Sequence, residues 1–244
     1  MAPISIAPSA RNGEVENNPC SACPVRELTV CGALDEGELS KLSEIVRVRR
    51  VGAHQTIFSE GEAADSVYNV TAGTVKLYKL LPDGRRQITG FLFTGDYIGL
   101  SMHERYAYTA ETVTSASLCH FQRRQMDALL KEHPKLQQRL FNMASNELEA
   151  AQDQMLLLGR KTAKEKVVSF LLAMSARLAR RGQKENPVPV PMSRSDIADY
   201  LGLTTETVSR TFTALKSHGA IRLLEGNKVD LVDRQRLQDL AEGG

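Results

Sequence analysis

The chain has 244 residues, of which 42% are hydrophobic and 25% charged, with a formal net charge of +2. That length supports one large or two modest domains with real cores, and no apolar run approaches the roughly 20 residues of a membrane span. The N-terminus has no basic stretch followed by an apolar one, so no secretory signal is read; the expected compartment is the cytoplasm, where disulfides are rare.

The small net charge conceals an asymmetry. From Arg160 onward there are 15 Lys and Arg against 10 Asp and Glu, a net of +5, and the remaining 16 and 19 leave the first part at −3. A basic C-terminal third points to a polyanionic partner, although charge alone fits a solvated face equally well.

Residues 1–19 are rich in Pro, Ser, Asn and Gly and aperiodic, which predicts a disordered tail. Residues 20–134 read as a cysteine loop joined to a sensor domain. Cys20 and Cys23 form a C-x2-C, Cys31 follows after seven further residues, and Cys119 stands apart. Four thiolates suit an iron–sulfur cluster and equally a tetrahedral zinc ion, and a lone Cys119 would also serve as a buried thiol. A short helix is expected over 35–46. From about Val48 to Phe121, runs rich in Val, Ile, Tyr, Phe and Thr alternate with glycines about ten residues apart, which predicts a compact antiparallel β structure. Pro82-Asp83-Gly84 is a hairpin turn within it, and Asp83, Arg85 and Arg86 are expected to be exposed on it.

Residues 135–160 carry a helical seam. Phe141, Ala144, Leu148, Ala151, Met155 and Leu158 are spaced 3, 4, 3, 4, 3, a heptad stripe on one long helix. The polar residues between them keep the stripe narrow, which predicts a two-stranded coiled coil and a homodimer. Packing within one domain is the other reading.

Residues 161–244 read as a winged helix-turn-helix. A basic joint, 159–166, leads to an apolar helix over 167–178, and 186–191 gives an extended entry. Ser193 with Asp196 resembles a capping box, Gly202 allows a tight turn, and Thr204 caps a second helix that Gly219 ends. On that helix Val208, Phe212 and Leu215 form the inner face. Glu206, Ser209, Arg210 and Thr213 lie opposite, with Thr205 at the start of the helix. A recognition helix needs polar groups at its N-terminal turns, because those turns enter the major groove. Arg210 can grip guanine O6 and N7, Glu206 can accept from cytosine N4, and Ser209 can reach an adjacent edge. The 220–224 and 228–232 segments read as the wing. With no nucleophile–base set, phosphate loop or His-rich metal motif, no catalysis is expected.

Ser195 to Gly202 followed by Thr205 to Arg210 resembles the helix-turn-helix of the CRP/FNR regulators. Phe58, Gly61, Gly73, Val75 and the Gly95-Asp96-Tyr97-Ile98-Gly99 run resemble that family's β-roll, and Leu156 to Lys161 the end of its dimer helix. The resemblance covers about residues 20 to 240. It implies an α+β fold with an N-terminal antiparallel β-roll of the cyclic-nucleotide-binding type, a long dimerisation helix and a C-terminal winged helix-turn-helix. The cysteine layout is that of the oxygen-sensing FNR branch, with a longer C-x2-C-x7-C spacing. It implies Cys20, Cys23, Cys31 and Cys119 as ligands of a 4Fe-4S cluster. The Glu206, Ser209 and Arg210 set implies a TTGAT half-site in an inverted repeat, and the 81–86 hairpin a contact with RNA polymerase. Related β-rolls bind a cyclic nucleotide through a Glu and an Arg-Ser/Thr pair. Here Leu100 and Ser101 follow Gly99, and Tyr106 and Ala107 fall near the Arg-Ser position. An anionic phosphate would lack its Arg, so no cyclic nucleotide is expected; Arg105 is the nearest cation.

Overall fold

The computed structural model of the protein describes residues 20, 22–99 and 104–243; the predicted tail 1–19, together with Leu100 and Ser101, lies outside them. Two 3-10 turns, Arg26–Leu28 and Val30–Ala33, precede helix α1, Glu36–Ile45. Asp35 starts α1: its carboxylate accepts from the Glu38 backbone, and Glu38 reaches back to the Asp35 amide. This satisfies two donors that a helix start otherwise leaves unpaired.

Eight strands build the roll: β1 (Arg47–Val51), β2 (Thr56–Phe58), β3 (Ser66–Ala72), β4 (Val75–Leu80), β5 (Arg86–Leu92), β6 (Tyr97–Ile98), β7 (Thr109–Thr112) and β8 (Ala116–Gln122). They form two four-stranded antiparallel sheets, ordered β1-β8-β3-β6 and β2-β7-β4-β5. The glycine rhythm has a steric cause at Gly73, which has a φ of +87° and where an added Cβ would meet the Ser115 carbonyl oxygen at 2.4 Å. Val70, Val75, Ile98, Ala110 and Leu118 fill the space between the sheets.

Helix α2 (Arg123–Glu132) then leads to α3 (Pro134–Arg160), the single long helix that the heptad stripe predicts. Helix α4 spans Ala163–Arg180, four residues longer at its start than expected. Thr162 and Glu165 form a capping box there, so most of the basic joint is helical. The C-terminal part comprises β9 (Val188–Pro189), α5 (Arg194–Leu201), α6 (Thr205–Ser217), β10 (Ile221–Leu224), β11 (Lys228–Leu231) and α7 (Arg234–Ala241). The extended 186–191 entry supplies β9, which pairs with β11, so the wing sheet has three strands. Neither α2 nor α7 is legible as a separate element in the sequence pattern.

The apolar cores are shared between these units. One packs Cys20, Val30, Cys31, Leu39 and Leu42 against Phe121, Met126 and Leu136, with Leu140 and Met143 of α3 at its edge. Another joins Ile88, Phe91 and Val113 of the roll to Phe170, Ile197, Phe212 and Leu237 of the C-terminal part. Among the described residues no helix is long and apolar enough to cross a membrane.

Candidate metal centre and nucleic-acid interface

The N-terminal loop and the roll bring the four cysteines to one place. Cys31 lies on the second 3-10 turn, held by the burial of Val30 and Leu34. Cys119 lies on β8, opposite Val48 of β1 and Asn69 of β3. Cys20, Cys23, Cys31 and Cys119 line a single cavity of about 40 Å³ with Arg26 and Asn69. All four are free of disulfides. Burial pushes the Cys20 thiol up to about 11, and the neighbouring Cys31 and Cys23 add to this. Cys119 rises to about 12, again first by burial and then through Cys31, Cys20 and Cys23. Burial raises Cys31 as well. Burial first, and then the neighbouring sulfurs, thus make Cys20, Cys31 and Cys119 poor thiolates. Among the described residues no group of three or more His, Cys, Asp or Glu is drawn together tightly enough to hold a single metal ion.

The groups behind the sulfurs are less visible in the sequence. Asn69, fully buried on β3, donates from Nδ2 to Cys31 Sγ at 3.5 Å. Its Oδ1 has no hydrogen-bond partner. The only sequence signal is an amide between Tyr68 and Val70 in a β-strand, where Asn is disfavoured. Arg139 of α3 reaches back into the cysteine loop, donating to the Thr29 carbonyl at 3.2 Å and to the Glu27 carbonyl. His133, which precedes α3, meets Glu38 of α1 at 3.0 Å.

Along α3 the stripe faces outward. Phe141 (66%), Leu148 (61%) and Met155 (64%) are exposed, as is Ala151, while Ala144 and Leu158 are half-buried. Leu158 differs from the expected pure seam position: its Cδ2 lies 3.4 Å from where a Gly202 Cβ would stand, so it also packs on the turn of its own helix-turn-helix. Gln154 adds a bond to the Tyr200 carbonyl at 2.8 Å.

The helix-turn-helix follows from local chemistry. Ser193 and Asp196 close a capping box on α5, and Gly202 takes the left-handed conformation, φ 62°, that ends it. Thr204 accepts from the Thr207 backbone at 3.1 Å and starts α6. Val208, Phe212 and Leu215 are buried beneath, with the Arg194 guanidinium 3.4 Å from the Phe212 ring centroid. Thr205, Glu206, Arg210 and Thr213 are exposed, and Ser209 is half-buried. The reading face is self-paired: Arg210 meets Glu206 at 2.6 Å, Ser209 donates to the Thr205 carbonyl and Thr213 to the Ser209 carbonyl.

Two other expectations are resolved at this level. Arg86 is not exposed beside Asp83 and Arg85. It turns to α5 and pairs with Asp199 at 2.7 Å and Asp196 at 3.0 Å, because two buried or half-buried carboxylates lie within its reach. Tyr106 is a core residue, stacked on Phe58 with centroids 3.6 Å apart and donating to the Ser66 carbonyl at 2.7 Å. Exposed Arg105 donates to the Gly61 carbonyl at 2.6 Å.

Residues 48–133 match the cyclic nucleotide-binding domain family, and residues 165–240 the Crp-like helix-turn-helix domain. Nitrogen fixation regulation protein FixK of Bradyrhizobium diazoefficiens is 43% identical over 236 residues, covering 97% of this chain and 99% of that protein. The chain belongs to the CRP/FNR family of transcription regulators. The transcriptional activator protein FnrL of Cereibacter sphaeroides is 38% identical over 226 residues, 91% of each chain. The solved structure of FixK2 from Bradyrhizobium japonicum superposes with a TM-score of 0.74 at 40% identity, over 80% of this chain and 97% of that one. In this CRP/FNR chain α5 and α6 thus belong to a Crp-like helix-turn-helix domain, and the β-roll is a cyclic-nucleotide-binding-type fold whose core includes Tyr106.

Proposed function

We propose that this CRP/FNR regulator senses oxygen through a 4Fe-4S cluster on Cys20, Cys23, Cys31 and Cys119, dimerises along α3 under low oxygen, and binds a TTGAT-type inverted repeat. The observation that carries this reading is the convergence of four cysteines, from a loop and from a strand about ninety residues away, on one cavity. An all-sulfur donor set fits the group, since soft thiolates favour iron–sulfur clusters and zinc. When bound, the cluster supplies a cationic core that holds four thiolates together and that dioxygen destroys.

The chain's own residues do the rest. Cys119 anchors the site to the roll, and the 20–31 loop closes on it. Arg139 grips two loop carbonyls, and the Glu38–His133 contact ties α1 to the start of α3. Ordering the loop thereby fixes the first turns of the helix that carries Phe141. Seam against seam, two chains bury Phe141, Leu148 and Met155, and two α6 helices stand about 34 Å apart, one turn of DNA. Asp83 and Arg85, exposed at the β4–β5 tip, are the groups available to RNA polymerase. No cyclic nucleotide is expected as a ligand, because Tyr106 and Ala107 stand near the position where related rolls hold the phosphate with an Arg-Ser/Thr pair.

A cluster-free regulator that uses the same thiols for zinc or redox response is the competing reading. Protein purified anaerobically decides between them. Iron and inorganic sulfide near four of each per chain, brown-green colour, and operator binding that disappears on aeration are expected. Colourless protein that contains zinc and binds the operator equally in air overturns the proposal.

A further inference from the structure

We infer that Asn69 is a positioning residue for the cysteine site, acting as the hydrogen-bond donor that sets the electron density on Cys31 and hence the cluster's resistance to dioxygen. The inference rests on the cluster reading above. Three observations support it. Asn69 is fully buried, yet its Oδ1 has no hydrogen-bond partner, and an unpaired buried amide oxygen is destabilising. A β3 position facing the core would be more stable with Val or Leu unless the amide served something. The same side chain lines the cysteine cavity and directs its Nδ2 at Cys31 Sγ, 3.5 Å away. Finally, β3 pairs Asn69 directly with Cys119 of β8. One rigid ladder thus fixes the donor relative to the far ligand, while the donor itself touches a ligand of the loop.

The chemistry follows from charge. An N–H donated to a ligating sulfur withdraws electron density from the thiolate, and such hydrogen bonds are one of the means by which a protein sets the potential of an iron–sulfur centre. Without the donor, the more electron-rich state is less favoured, so the centre is more easily oxidised. Asn69 also bridges the loop and the roll through Cys31, so its loss would loosen the loop ligand.

The test is Asn69→Leu in the full chain, assembled anaerobically beside the wild type. Iron and sulfide are measured first: a wild type without either fails the cluster reading itself, and the present inference falls with it. With the cluster in both proteins, two readouts follow, the midpoint potential by visible spectroelectrochemistry and the rate of bleaching in air-saturated buffer. The variant is expected to show a more negative potential and bleaching faster by about tenfold, the lower end of the effect that groups behind a metal ligand have on metal affinity. Apo-protein stability is expected to be unchanged or higher, because an unsatisfied buried oxygen has been removed. Equal potential and equal bleaching at equal iron content overturn the inference. Should Asn69→Leu misfold by circular dichroism, Asn69→Ala, which removes the amide without adding branched bulk, is read by the same two measurements and the same criteria.

Discussion

Arg210 and Glu206 show how little one residue reveals alone. They meet at 2.6 Å on the exposed face of α6. An exposed ion pair of this kind is worth about 0–1 kcal/mol, so DNA can open it at small cost and use both ends. Arg210→Ala is therefore expected to weaken operator binding by about 1–3 kcal/mol and to relax discrimination at one base pair. Fluorescence anisotropy on operators permuted at each position checks this; uniform weakening on every sequence would mark a phosphate contact instead. Arg139 makes the complementary case, as a residue that touches neither metal nor DNA. Arg139→Met is expected to leave iron and sulfide content at the wild-type level while lowering the anaerobic dimer fraction in sedimentation velocity. An unchanged dimer constant would mean that its bonds to Thr29 and Glu27 transmit nothing.

Among the elements, α3 has the most exposed apolar stripe, and the weakness of its stripe is informative. Two of its six positions, Ala144 and Ala151, offer only a methyl group, and Leu158 is partly committed to the turn at Gly202. A marginal interface is easy to switch, since a few kcal/mol moves a two-state equilibrium from one side to the other. Ala151→Leu adds three carbons, worth roughly 2 kcal/mol per chain when buried. It is expected to give an aerobic dimer that binds operator DNA; a variant that stays monomeric in air by sedimentation defeats the weak-seam idea. The stripe was legible because heptad spacing is a purely local signal, as were the Ser193–Asp196 box, the Gly202 turn and the inner face of α6. The four cysteines were legible as one ligand set only through the family resemblance, since nothing local in the chain places Cys119 beside the other three. What escaped notice depended on distance in the chain: Asn69 has meaning only once β3 lies against β8, and Arg139 only once the loop folds back on α3. Helix α2 was hidden because only Met126 and Leu129 of its residues are buried, too few to set a period. Arg86 was misplaced because its carboxylate partners lie more than a hundred residues onward.

For the whole molecule, the roll and the DNA-binding domain are joined by charge as well as by apolar packing. Lys76 of β4, with a side chain 4% exposed, lies between Glu111 at 3.0 Å and Asp196 at 2.8 Å. Arg86 adds a second cation to Asp196, and Arg177 of α4 and Arg181 just after it both hold Asp96 of the roll. Removing one member of a buried pair is costly because the partner charge is stranded. Lys76→Met is expected to destabilise the protein by about 3 kcal/mol, the lower end of that range, since Arg86 remains. Urea unfolding measures it, and an unshifted midpoint would show the contact to be incidental. Burial alone would raise the Asp196 carboxyl, but the hydrogen bonds from Lys76 and Ser193 and the nearby Arg86 outweigh it and hold the group below its ordinary 3.8. A depressed carboxylate contributes stability above its unfolded value and loses it as pH falls toward the folded one. The docking is therefore expected to hold at neutral pH and to weaken only below about 3.8. Small-angle scattering across an acid titration would follow the two parts separating. Loosening that begins near pH 6 would point to histidine instead.

Asp196 serves two masters, closing the cap of α5 through Ser193 and receiving Lys76 and Arg86 from the roll. The reading head therefore cannot be exchanged as a loose cartridge. A chimera that grafts another regulator's C-terminal half onto this sensor at Lys161 will keep the Lys76 contact only if the graft brings an acid at the Asp196 position. Without it, Lys76 and Arg86 each lose a buried partner, and the hybrid's two halves dock less firmly.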